Sequence, residues 1–151
     1  MEKPMLITIC AIAGFLGFWF AFLFFLKRFL KKRVKGILDK FKGRRVLKTS
    51  PGANFFGQES LGQKQVRGNG VLILTEEELY FEMWMPKREF QIPVSSIVDV
   101  ETPKSHLHKT KLQPLLKVIF RNRENELDSF AWLVRDLSGW KDALLRFVEN
   151  E

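Results

Sequence analysis

One cysteine, one tyrosine and two histidines are all that 151 residues hold of three side chains from which chemical sites are often built. The lone Cys10 excludes an internal disulfide framework and any multi-cysteine metal site. It also agrees with a reducing location. His106 and His108 stand two apart, a spacing that puts both on one side of a strand. No cysteine or suitably spaced carboxylate completes a metal site with them, and a solvated loop is the expectation for residues 104–111. Nucleophile elbows, Walker loops and H-E-x-x-H are missing as well. Gly68-Asn69-Gly70 lacks the third glycine and the following helix that dinucleotide binding requires, and reads instead as a turn. These absences predict a chain that is not an enzyme and carries no cofactor.

Charge is absent from Met5 to Leu26, a run of 22 residues. As a helix it would rise about 33 Å, enough to cross a hydrocarbon core of roughly 30 Å. A cleaved signal peptide carries its positive charge before a shorter apolar stretch. Here Lys27, Arg28, Lys31, Lys32, Arg33 and Lys35 come after it. A soluble core helix is rarely apolar on every face. The expectation is therefore a single-pass helix over 5–26 in the cell (inner or plasma) membrane. Basic residues next to a span stay cytoplasmic, which places the N-terminus outside and the rest inside.

The net charge of +8 is unevenly spread. Residues 27–48 hold eleven Lys and Arg against Asp39 alone, whereas residues 49–151 hold thirteen against fifteen acids. A nucleic-acid protein would carry its basic stripe on the folded part, so no nucleic-acid partner is expected. Between Phe29 and Phe41 the apolar Phe29, Leu30, Val34, Ile37, Leu38 and Phe41 keep to one helical face, with Gly43 as a stop. Such a segment can continue the span or bend at the interface, each cation near an anionic leaflet contributing on the order of 1 kcal/mol. The candidate lipid-surface residues are Lys27, Arg28, Lys31, Lys32, Arg33, Lys35, Lys40, Lys42, Arg44 and Arg45. Their expected partners are the bilayer and anionic headgroups. Within the span Ala13, Gly17 and Ala21 form a small-residue stripe on which another helix could pack.

Residues 49–54, rich in Ser, Pro and Gly, read as a linker before a soluble domain over 55–151. Short apolar or alternating runs predict strands at 71–75, 79–85, 89–92, 97–101, 115–120 and 127–134. Glu76, Glu77 and Glu78 read as a solvated turn. Leu137, Trp140, Leu144, Phe147 and Val148 switch to helical spacing, with Asp136 or Ser138 as N-cap. The class is mainly β, about seven antiparallel strands in a partly open barrel or sandwich, closed by one C-terminal α-helix.

The stretch G-N-G-V-L-I-L-T-E-E-E-L-Y-F (Gly68 to Phe81), the stretch F-Q-I-P-V-S-S-I-V-D-V (Phe90 to Val100) and Trp140 in the last helix carry a resemblance. They look like the pleckstrin-homology-like (PH-like) superfold, in its GRAM and bacterial PH-like branch, over about Phe55 to Val148. The resemblance implies a binding module for lipid headgroups or proteins, and a ligand loop between the first two strands. That loop holds Lys64 and Arg67, and with Lys104, His106, His108, Lys109 and Lys111 it makes a candidate patch for anions or a partner. Trp84, Met85 and Pro86, beside Lys87 and Arg88, form an aromatic tip flanked by cations. The function expected is a membrane-anchored binding or scaffold module with a protein partner. The alternatives are an accessory subunit of a larger membrane complex, or a sensor of anionic headgroups.

Overall fold

The computed structural model describes residues 2–110 and 112–148. The chain divides into two compact units, Met1–Lys40 and Phe41–Glu151. The first is one continuous helix, α1 (Glu2–Asp39). None of its apolar window is buried, and it is long and apolar enough to cross a membrane. The basic stretch continues the same helix without a break as far as Asp39. A turn over 40–43 follows, with Gly43 at φ +88°, so the expected glycine stop holds.

The second unit is β1 (Val46–Gln58), β2 (Gly68–Thr75), β3 (Glu78–Trp84), β4 (Lys87–Pro93), β5 (Ile97–Glu101), the short β6 (Ser105–His106) and β7 (Lys109–Thr110), β8 (Leu116–Arg121), β9 (Leu127–Leu133) and α2 (Leu137–Val148). Seven strands form one sheet in the order β4-β3-β2-β1-β9-β8-β5, every neighbouring pair antiparallel. β4 and β5 end the order without pairing, so the sheet curls but does not close.

β1 turns the corner. Its first part pairs with β2 and its last residues, Asn54 to Gln58, pair with β9. Register shifts at Pro51/Ala53 and Phe55/Gly57 supply the bend, and Gly52 (φ +79°) and Gly57 (φ +132°) occupy them. The expected linker over 49–54 is therefore corrected to strand, because a bulged strand needs the same Pro and Gly that a linker has. Gly68 and Gly70 also lie within a strand rather than a turn. A Cβ on Gly70 would overlap the main-chain oxygen of Glu82 in β3, so these glycines serve close strand approach.

Phe55, Phe81, Phe90, Phe130 and Trp132 form the aromatic centre of the core, with Phe55 and Phe90 centroids 4.8 Å apart. α2 brings Trp140 and Leu144, both fully buried, into that core. Asp136, not Ser138, is its N-cap, for Gly139 N–H donates to Asp136 Oδ1 at 3.1 Å.

Candidate functional site

The β1–β2 connection and the β6–β7 hairpin meet on the outer face of β1. Gln65 fixes the connection: its Oε1 accepts from Gln58 N–H at 2.8 Å, and its Nε2 donates to the Gln58 carbonyl at 2.6 Å and also to that of Gly62. Asp128 holds the turn at the start of the connection, accepting from Ser60 N–H at 3.0 Å and Ser60 Oγ at 2.7 Å. Burial alone would raise the Asp128 carboxyl, but the donors from Gln58, Ser60 and Ser129 hold it below the ordinary carboxylate range.

The hairpin is built on a two-residue turn, Leu107 (φ 51°) and His108 (φ 59°), both in the left-handed region. The expected solvated loop is thus corrected to a docked hairpin. His106 is 6% exposed, and its Nε2 lies 3.2 Å from the Gly57 carbonyl. Leu107 closes over Gly57, where a Cβ would lie 2.8 Å from Leu107 Cδ1. His108 sits exposed in the turn, so the two histidines do not share a strand face.

Docking brings together cations far apart in sequence. Lys109 Nζ donates to the Gln65 carbonyl at 3.0 Å. The Arg67 guanidinium lies over the Phe56 ring, Cζ 3.9 Å from its centroid, and Nη2 donates to Asn54 Oδ1 at 3.3 Å. Burial and then repulsion from Arg67 push the Lys109 ammonium below its ordinary pKa. His106 is likewise lowered, first by burial, with Lys117 and Lys109 adding to the effect against the Gly57 carbonyl and Glu59. Behind it, Lys117 lies 3.4 Å from Glu59 and 3.5 Å from Glu101, and Ser129 Oγ donates to Glu59. That hydrogen bond is the largest influence keeping Glu59 below its usual range.

Of the candidate patch, then, Arg67, Lys109 and His106 converge. Lys64, Lys104 and His108 are exposed around them, and Lys111 falls outside the described residues. Arg67 and Lys109 bring two positive charges near enough to repel one another. Among the described residues no three His, Cys, Asp or Glu side chains are grouped to hold a metal ion. Sequence reasoning missed Gln65, Asn54 and Phe56, the residues that position the two cations.

The acidic turn is solvated at Glu76 and Glu77, as expected, while Glu78 opens β3 and is more sheltered. Arg44 Nη1 donates to Glu78 Oε1 at 2.6 Å and lies 3.9 Å from Glu77, and Arg45 Nη1 donates to Glu76 Oε1 at 3.0 Å. Glu76 to Glu78 are partners of two cations that the sequence assigned to lipid.

No family model matches the chain, and no curated protein matches it in sequence. Several solved structures share its fold. The C-terminal domain of an unknown protein from Leishmania infantum is 18% identical over 76% of this chain and 97% of that one, with a TM-score of 0.54. A chain of the 8S snRNP assembly intermediate is 10% identical over 70% and 84%, with a TM-score of 0.53. The PDZ-RhoGEF DH/PH domains, solved in complex with RhoA, are 11% identical over 80% of this chain but 35% of that one, with a TM-score of 0.50. At such identities the likeness speaks for the fold alone. A curled antiparallel sheet, open between β4 and β5 and closed by one C-terminal helix, is the PH-like fold.

Proposed function

We propose that the chain is a non-enzymatic, membrane-anchored binding or scaffold module. α1 crosses the membrane over residues 5–26, and the PH-like domain works at the cytoplasmic face. The observation that carries this reading is an apolar helix with none of its apolar window buried, in the same chain as a folded unit in which Arg67 and Lys109 lie near enough to repel. The sequence stretches 68–81, which form the paired β2 and β3, and 90–100, which run through the ends of β4 and β5, support placing the domain in the GRAM-like branch. Lys27 to Lys42 lie on or just after the helix and are suited to anionic headgroups. Permanent attachment raises the effective concentration of any ligand at the surface, so a modest affinity suffices.

The test uses the intact chain in sealed cells. It should resist carbonate extraction, and protease added outside should leave the C-terminal unit whole. Digestion of that unit from outside, or release as a soluble protein, defeats the reading. A second reading, an accessory subunit of a membrane complex, is favoured by the exposure of Ala13, Gly17 and Ala21. Gly17→Leu should then release a partner that co-purifies with the native chain in mild detergent.

A further inference from the structure

At the open seam of the sheet lies a cleft of about 580 Å³, bounded by β4 on one side and by the β8–β9 end on the other. Its apolar lining is Phe90, Phe120 and Phe130. These rings belong to the core and form one surface, Phe90 and Phe130 centroids 5.2 Å apart and Phe120 and Phe130 5.1 Å. Phe90 is only half-buried, so the core shows through the seam. Nothing described pairs with the outer edge of β4, which leaves a row of main-chain N–H and C=O groups beside the cleft.

The charges on the rim are unbalanced in a specific way. Glu78 is committed to Arg44 at 2.6 Å, and Glu89 lies 3.8 Å from Lys87. Among the described residues, by contrast, Arg121 donates to the Asn125 carbonyl at 3.4 Å, and Arg123 across the same turn has no carboxylate within salt-bridge distance. Of the charged residues lining the cleft, Glu78 and Glu89 each have a cation beside them, and Arg121 and Arg123 have no carboxylate partner among the described residues.

We infer that this seam is a docking site for an extended acidic peptide of a partner protein, which adds a strand to β4. The three features select one occupant. A strand edge is matched by another extended backbone, donor to acceptor, and not by a lipid chain. The aromatic lining takes an apolar side chain projecting from that backbone. Arg121 and Arg123 take carboxylates on neighbouring residues, as guanidinium forks do well. Seven edge residues span about 23 Å, which suits a peptide of about six or seven residues. The inference rests on the binding-module reading and deepens it by naming the partner's chemistry. The site is separate from the Arg67 and Lys109 face, so the two can fail independently.

The full-length protein in phosphatidylcholine nanodiscs is used to select from a displayed library of random octapeptides. Selected sequences should combine acidic residues with an alternating aromatic or branched apolar residue. A synthetic selected peptide should bind with anisotropy that saturates. Arg121→Glu with Arg123→Glu, both exposed side chains, should weaken it about tenfold or more while the melting curve stays in place. Methylating alternate peptide nitrogens should abolish binding by removing the strand hydrogen bonds, and Arg67→Glu should leave it unchanged. The inference is overturned by no enrichment, by enriched basic peptides, by selected peptides indifferent to the two reversals or to methylation, or by displacement by palmitate, which would assign the cleft to an acyl chain. A concentration-dependent dimer lost in the double reversal would assign it to a second copy and overturn it equally.

Discussion

His106→Ala should loosen one small piece of the domain and leave the rest standing. The imidazole is buried, and its Nε2 is the partner of the Gly57 carbonyl at 3.2 Å. Alanine removes that partner and leaves the carbonyl under the hairpin unsatisfied, which costs about 1–3 kcal/mol. β6 and β7 have two residues each, too few to hold as a free hairpin, and Leu107 and His108 already sit at positive φ. The loss therefore falls on docking, not on the sheet. At 1.4 kcal/mol per factor of ten, the hairpin should open about tenfold to a hundredfold more often. Native-state hydrogen exchange reads this directly: protection of the Ser105–Thr110 amides should fall by that factor, while amides of Leu72 and Trp132 in the core keep theirs. Acid should mimic the mutation. The folded-state pKa of His106 is depressed, by burial and by Lys117 and Lys109, so the unfolded segment binds the proton more readily. Stability from the neutral imidazole is complete above the ordinary histidine value of 6.5 and is lost as pH falls from there through the lower folded value. Lys109 travels with the hairpin, so its spacing from Arg67 should be lost in step. Equal loss of protection in hairpin and core, or none in the hairpin, refutes the reasoning.

Two further outcomes follow from the same contacts. Gly70→Ala should destabilise the domain by about 3 kcal/mol, as overpacking against an immovable strand, because the new Cβ meets the Glu82 carbonyl and the Phe81 ring; denaturant unfolding measures it, and a change under 0.5 kcal/mol would contradict the close approach. A double-mutant cycle of Arg44→Ala and Glu78→Ala should give a coupling of about 0.5–1 kcal/mol that shrinks at high salt, since Arg44 is half exposed and its partner more sheltered; a coupling above 2 kcal/mol would mean that the pair is screened from water.

What the sequence disclosed was whatever depends on periodicity. β2, β3, β8, β9 and α2 were legible because their apolar residues repeat every two or every three to four positions. β1 was hidden by Pro51 and Gly52, which sit at its bulge and read as a linker. Gly68 and Gly70 misled for a related reason: a missing Cβ serves a tight turn or a close neighbour equally, and the neighbour here, Glu82, is remote in sequence. The candidate patch was half legible. Arg67 and Lys109 stood out as cations, yet only Gln65 and the docked hairpin bring them together across 42 positions. The seam was not legible, because Phe90, Phe120 and Phe130 look like ordinary core residues until the sheet fails to close over them.

The pairing of Arg44 and Arg45 with Glu76 to Glu78 bears on how the proposed attachment works. Counting every cation of 27–48 toward lipid, at about 1 kcal/mol each, overstates the attraction. Arg44, Arg45 and Lys48 already face carboxylates within the domain, at 2.6 Å, 3.0 Å and 2.6 Å. These contacts join the segment entering β1 to the β2–β3 turn and to the cap of α2. Cations that leave them for a headgroup give up those partners, so the net gain from lipid is smaller for these three than for Lys27 or Lys35 on the helix. On the proposed topology the lipid-facing charge belongs to α1, and the charge after Gly43 belongs to the domain. Reversing Arg44 and Arg45 to Glu should therefore disturb the fold near β2–β3 more than the membrane attraction, whereas reversing Lys31 and Lys32 should do the opposite. Unfolding and anionic-vesicle recruitment, measured side by side on the two double variants, separate these roles; equal loss of recruitment in both would show that the domain's carboxylates do not withhold Arg44 and Arg45 from lipid.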